Sequence, residues 1–252
     1  MRFEGKVVIV TGAGSGIGEA TARRFSAEGA AVVLAGRDRR KLDRLARELP
    51  KERTLVVPTD VSKFADATRL VAQTLKRFEA INVLVNNAGV ATEGDAKEGS
   101  LKDWEATIGI NLGGVFHCSR AAIDALIASG GSIVNTASVS GLAADWKMCF
   151  YNTSKGGIVN FTRSMALDFG AKGVRVNAVC PSLTLTPMTQ GMMKNKKLMA
   201  KFNGRIAMKR GAEPSEVAAV IAFLASDDAS FVNGVNLPVD GGLMASNGQP
   251  AM

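Results

Sequence analysis

Val7-Val8-Ile9-Val10-Thr11-Gly12-Ala13-Gly14-Ser15-Gly16-Ile17-Gly18 follows a short polar start, and its reading decides the fold. Four apolar, mostly β-branched residues suit a buried strand. The glycines that follow permit a tight turn, and a helical pattern then runs over Gly18–Glu28. A strand, a glycine turn and a helix in that order bring backbone N–H groups at a helix N-terminus to one point, a cradle for a pyrophosphate. The usual spacing Gly-x-Gly-x-x-Gly is not met, because Ile17 stands where the third glycine would fall; Gly12-x-x-x-Gly16-x-Gly18 is what fits. A flexible glycine-rich loop is the alternative, and its position between a strand and a helix argues against it.

Outward from this unit, apolar runs alternate with helix-period stretches along the whole chain. The predicted strands are Val7–Thr11, Ala31–Ala35, Thr54–Val57, Val83–Asn86, Ser132–Thr136, Arg175–Val179 and Val235–Val239. Helical patterns cover Gly18–Glu28, Arg39–Glu48, Ala65–Arg77, Trp104–Ile127, Thr153–Phe169 and Ser215–Ala225. Continuous rather than alternating apolar strands indicate a sheet covered on both faces. Strict β/α alternation then predicts an α/β fold: a Rossmann-type, doubly wound parallel sheet of about seven strands with right-handed crossovers. No linker, repeat or low-complexity tract interrupts it, so residues 1–252 read as one domain.

Composition agrees. The 252 residues are 46% hydrophobic and 21% charged, enough for one well-cored domain. The net charge of +8 comes from 31 basic and 23 acidic residues spread without an aromatic-basic stripe, which argues against nucleic acid and leaves an anionic cofactor open. Cys118, Cys149 and Cys180 lack metal-ligand spacing and read as free thiols, and no metal is expected. No apolar run reaches membrane-spanning length, so a cytoplasmic protein without membrane contact is expected.

Tyr151 and Lys155 lie four apart on a predicted helix, hence on one face. An ammonium beside a phenol favours the phenolate and brings its proton transfer toward the working range. By chance such a pair is more often surface decoration, but Tyr151 is the chain's only tyrosine. After the second strand, the position where an acid would accept a ribose hydroxyl is Gly36, followed by Arg37, whose guanidinium suits a 2′-phosphate. Asp38 reads as a helix N-cap. Asp60-Val61 and Asn86-Asn87-Ala88-Gly89 fall at carboxyl ends of strands, where ligands sit in such sheets. Asn111 breaks an apolar helical pattern, and Ser138 follows the fifth strand. His117 reads as a core or subunit-contact residue.

Taken together, the Gly12–Gly18 turn, Asp60, Asn86–Gly89, Asn111, Ser138 and the Tyr151/Lys155 pair resemble the classical short-chain dehydrogenase/reductase family, in order and spacing, over nearly the whole chain. The resemblance implies a catalytic tetrad of Asn111, Ser138, Tyr151 and Lys155, with Asn111 holding a water that relays protons. It implies cofactor contacts at Gly12, Ser15, Gly16, Ile17, Gly18, Asp60, Val61, Asn87, Tyr151, Lys155, Thr184 and Thr186. Pro181-Ser182 replaces the family's usual Pro-Gly. With Arg37 added, NADP(H) is the expected cofactor, with NAD(H) the alternative.

The substrate wall is expected from Ser138, Ser140, Trp146, Met148, Tyr151 and Met188, apolar and compact, so a small ketone or vicinal hydroxyketone is expected. Within the family, Asn135–Leu142, Cys180–Leu183, Ala222–Gly234 and the tail Gly248-Gln249-Pro250 are most similar to the branch acting on vicinal diols. A 3-oxoacyl-carrier-protein reductase and an NAD-dependent sugar or polyol dehydrogenase are the alternatives. The methionines and lysines after Pro187 suit either a substrate lid or ordinary helix packing. The resemblance also implies a homotetramer built on the two long helices.

Overall fold

The computed structural model describes residues 1–247 and Gln249; Gly248 and Pro250 of the tail lie outside the described residues. Seven parallel strands form one sheet in the order β3-β2-β1-β4-β5-β6-β7. They span β1 (Val7–Thr11), β2 (Ala31–Gly36), β3 (Thr54–Pro58), β4 (Val83–Asn86), β5 (Ser132–Thr136), β6 (Arg175–Pro181) and β7 (Asn236–Val239). The helices in chain order are α1 (Gly16–Ala27), α2 (Arg39–Ala46), α3 (Phe64–Phe78), α4 (Leu101–Thr107), α5 (Gly114–Ser129), α6 (Val139–Leu142), α7 (Cys149–Gly170), α8 (Gln190–Met193), α9 (Lys196–Arg205) and α10 (Pro214–Ala225).

Side chains of a strand alternate between faces, and β1 is apolar on both. Val8 and Val10 enter the layer beneath α1, α2 and α10, with Phe25, Leu42, Leu45 and Ile221. Val7 and Ile9 enter the opposite layer, with Leu70, Leu126 and Met165 of α3, α5 and α7. Each fully buried Leu, Ile or Phe contributes roughly 1.5–3 kcal/mol of transfer free energy, so two full layers hold the sheet from both sides.

One predicted helix is divided. Trp104–Ile127 begins earlier, at Leu101, where Ser100 caps Asp103 N–H at 3.3 Å. It then widens into a π segment over Ile108–Gly113 before resuming as α5. Gly109, Gly113 and Gly114 lower helix propensity there, and Gly114 is needed for fit: a Cβ on it would lie 2.6 Å from Val61 Cγ2. The predicted Thr153–Phe169 helix extends back to Cys149, which brings Tyr151 inside its first turn.

Candidate functional site

Because β1 lies beside β4 at the centre of the order, the chain leaves these strands in opposite directions and a crevice opens at their carboxyl ends. The residues that line it include Gly12, Ser15, Gly16, Ile17, Arg37, Asp60, Val61, Asn87, Ser138, Tyr151, Lys155, Thr184, Thr186 and Met188.

At the β1–α1 turn, Gly12 and Gly16 have φ of +66° and +56°, the left-handed region that favours glycine. Gly18 does not line the crevice but sits behind it, where a Cβ would lie 2.2 Å from the Gly12 carbonyl oxygen. Asn87 Nδ2 donates to the Thr11 carbonyl at 3.1 Å, and Asn87 N–H donates to Thr11 Oγ1 at 2.9 Å. The β1 and β4 tips are thereby tied together. Ser15 makes no side-chain capping bond to α1, and Ser15, Gly16 and Ile17 at the start of the helix line the crevice. A cradle that no Cβ could enter, at a helix N-terminus, fits the pyrophosphate of a dinucleotide.

At the other end, Arg37 is exposed and has no ion-pair partner among the described residues, whereas Arg39, Lys41 and Arg44 all have acidic partners. Asp38 caps α2 as expected, accepting from Lys41 N–H at 3.3 Å. Asp60 Oδ1 accepts from Ser62 N–H and Ser62 Oγ at 3.1 and 2.7 Å. Val61 is buried, and its carbonyl accepts from His117 Nδ1 at 2.9 Å. His117 thus braces this wall from behind.

The chemical groups meet at the tips of β5 and β6. Lys155 is buried, donates from Nζ to the Thr136 carbonyl at 2.8 Å and lies 5.5 Å from the centre of the Tyr151 ring. Burial pulls the Lys155 ammonium down from 10.5 to about 8. Burial also pushes the Tyr151 phenol up; a hydrogen bond with Ser138 opposes this, and the Asp145 charge adds to the rise. The net direction for the Tyr151 phenol in the protein alone is therefore upward, with desolvation the largest cause.

Asn111 is fully buried. Its Oδ1 accepts from Val90 N–H at 2.8 Å, and Nδ2 donates to the Val90 carbonyl at 2.9 Å and to Ser154 Oγ at 3.0 Å. Ser154 Oγ in turn donates to the Tyr151 carbonyl at 2.8 Å. Both amide hydrogens are committed to holding the β4 loop against α7, which leaves the side chain little to offer a relay water.

Of the expected substrate wall, Ser138, Tyr151 and Met188 line the crevice, and Ser140, Trp146 and Met148 do not. Trp146 is 97% exposed, carried outward by a turn in which Lys147 takes φ of +59°. Met148 pairs with Gly94 in an isolated bridge, and Ser140 stands one hydrogen bond behind Ser138. Val90, Ile110 and Thr189 line the crevice without having been singled out. Their apolar or small side chains carry no chemical signal; only their adjacency to Asn87, Asn111 and Thr186 marked them.

A dinucleotide cradle beside a Tyr/Lys pair defines an oxidoreductase that uses a nicotinamide cofactor. The family model described as enoyl-(acyl carrier protein) reductase matches residues 12–244. The chain belongs to the short-chain dehydrogenase/reductase family. It is 53% identical over 250 residues to meso-2,3-butanediol dehydrogenase of Serratia marcescens, covering 99% of each chain. It is 37% identical to a 3-oxoacyl-[acyl-carrier-protein] reductase of Thermotoga maritima, covering 97% of this chain and 100% of that one. Among solved structures, levodione reductase superposes with a TM-score of 0.93 at 36% identity, covering 97% of this chain and 100% of that one. The protein is thus an alcohol dehydrogenase/carbonyl reductase of this family, and no helix among the described residues is long and apolar enough to cross a membrane.

Proposed function

We propose that the protein interconverts small vicinal diols and hydroxyketones, acetoin-type substrates, with NADP(H) as its preferred cofactor. Whole-length identity of 53% to a butanediol dehydrogenase is the observation that carries the substrate reading. The unpartnered Arg37 beside Gly36 supports the cofactor reading, since a guanidinium grips a phosphate in forked geometry and position 36 carries glycine rather than an acid that would repel it.

The nicotinamide supplies the hydride donor or acceptor. On this reading the chain does the rest. The backbone at Gly12, Ser15, Gly16 and Ile17 holds the pyrophosphate, with Gly18 allowing the helix to approach. Asp60 and Val61 flank the adenine, and Asn87, Thr184 and Thr186 face the nicotinamide end. Lys155 holds the ribose there. Ser138 hydrogen-bonds the substrate oxygen, and Tyr151 gives or takes its proton. Asn111 fixes the Tyr151-bearing helix through Ser154.

Residues 1–252 act as one domain in the cytoplasm. Exposed Phe116 on α5 and Leu167 on α7 support a homotetramer that covers these helices. The test is a panel of initial rates on diacetyl, acetoin, meso-2,3-butanediol, an acetoacetyl thioester and a free hexose, each with both cofactors. Highest kcat/KM on the four-carbon compounds with NADP(H) is expected. A much higher value on the thioester would favour the carrier-protein reductase reading instead, and on the hexose the sugar dehydrogenase.

A further inference from the structure

Behind Ser138 runs a chain of hydrogen bonds that the cofactor and substrate reading does not use. Ser138 Oγ lies 3.0 Å from Ser140 Oγ and 3.4 Å from the Pro181 carbonyl, and it accepts from Ser140 N–H at 3.1 Å. Ser140 Oγ lies 2.5 Å from Asp145 Oδ2. Ser138 and Ser140 are both buried. Asp145 is steadied through its main chain: its N–H donates to Asn152 Oδ1 at 3.2 Å and its carbonyl accepts from Asn152 Nδ2 at 2.9 Å. Asn152 is the residue after Tyr151.

The polarity of this chain follows from what each group can do. A carboxylate only accepts, so the one proton of Ser140 goes to Asp145. Ser140 Oγ is then left as an acceptor toward Ser138, and the one proton of Ser138 has an acceptor on the side away from the crevice.

We propose that Asp145 is a positioning residue which, through Ser140, draws the proton of Ser138 away from the Tyr151 oxygen and the reacting substrate oxygen. The inference rests on the reading of Tyr151 as the acid-base group and of Ser138 as the group that hydrogen-bonds the substrate oxygen. Its consequence is directional. With the Ser138 proton drawn toward Ser140, the hydrogen bond from Ser138 that holds the Tyr151 phenol down is weakened, and with a negative charge nearby Tyr151 keeps its proton, which suits it to protonate a carbonyl being reduced.

The groups that face Tyr151 are few. Lys155 lies on the same helix and Asp145 on the preceding loop; Cys180 on β6 lies near Lys155 and Arg163. Lys147 and Cys149 flank it in the chain, while the π segment and the β4 loop present Asn111 and Val90, neither of which titrates. Burial pushes the Cys180 thiol up to about 11, and a thiolate does not absorb in the long-wavelength phenolate band.

Tyr151 is the only tyrosine, so ultraviolet titration of that band reads this residue alone and needs no turnover. The experiment compares the full-length protein with Asp145→Asn, Ser140→Ala and the double variant. Asp145→Asn should lower the titration midpoint by about half to one pH unit, since it removes the charge and lets the amide donate to Ser140. Ser140→Ala should lower it by less, and the double variant no further than Asp145→Asn alone. An unchanged midpoint in Asp145→Asn overturns the proposal. So does a Ser140→Ala protein that titrates as the parent, or a double variant whose shift is the full sum of the two. Failure of the acid-base reading would show separately, as a Tyr151→Phe enzyme that keeps its rate.

Discussion

The two sides of the crevice are built on opposite terms. The floor is made of strand tips and the β1–α1 turn, where Thr11, Asn86 and Thr136 are buried and a single methylene on Gly18 would strike the Gly12 carbonyl. The cap, formed by Pro187–Thr189, α8 and α9, has no buried residue in any of its three elements, and Met188 is 57% exposed. Its Lys194, Lys196, Lys197, Lys201 and Arg205 stand in a stretch, 169–212, without any acid. The floor is therefore the closely packed side, the kind of surface that can hold a cofactor and a reacting carbon in register for hydride transfer. The cap has little apolar burial to hold it, so its local opening costs less free energy than opening of the floor. Reading the Met- and Lys-rich segment as a lid is consistent with this sparse packing.

Glycine substitutions break or sharpen the contrast most. Gly18→Val should cost on the order of 3 kcal/mol or more, seen as a large fall in Tm or loss of folded protein, because backbone lies where the side chain must go. A variant that folds with an unchanged Tm would mean the floor is not rigid. Next, Tyr151→Phe keeps the ring in place but removes the transferable proton. The rate should fall about a hundredfold, roughly 2.7 kcal/mol, with cofactor affinity retained by direct titration.

The Gly36→Asp, Arg37→Ser double variant should shift the ratio of NADP(H) to NAD(H) affinity toward NAD(H) by about tenfold or more, roughly 1.4 kcal/mol. An NADP(H) preference left intact would show that the free Arg37 is not the phosphate contact.

Lys155 offers a test by pH. Its folded-state pKa is depressed from 10.5 to about 8, so the folded protein binds fewer protons than the unfolded chain between those values. Below about pH 8 burial of the ammonium costs stability in full, and the cost fades as pH rises toward 10.5. Lys155→Met should therefore abolish activity yet stabilise the cofactor-free protein at pH 7 by on the order of 1 kcal/mol. The gain should vanish near pH 10.5, checked by denaturant unfolding at both pH values. The smallest effect is expected in the cap: nothing lies within 4 Å of a Cβ on Gly204, so Gly204→Ala should stabilise α9 by up to about 1 kcal/mol. A loss of stability there would mean the cap packs more tightly than its exposure indicates.

Where the sequence was read correctly, local physics sufficed. Strands with apolar residues on both faces admit only a doubly covered sheet, and six of the seven predicted strands begin at the observed residue. Where it was not, the deciding contact was distant along the chain. Trp104–Ile127 reads as one helix, and only Val61, more than fifty residues away in sequence but a neighbour in space, shows why Gly114 must be small there. Trp146 reads as a bulky wall residue, yet the turn at Lys147 and the bridge from Gly94 to Met148 carry it into solvent.

The sequence by itself determined the layered α/β architecture, the glycine cradle, and the Tyr151/Lys155 face, because periodicity and residue type act within a few residues. Only the tertiary structure decided the state of those groups. Desolvation, which depends on everything packed around a side chain, is the largest cause of both the lowering of Lys155 and the raising of Tyr151. The commitment of the Asn111 amide to Val90 and Ser154, and the chain from Ser138 through Ser140 to Asp145, likewise exist only once separate segments are brought together. A hydrogen bond's polarity depends on which partners the fold supplies, and no pattern within one segment encodes that.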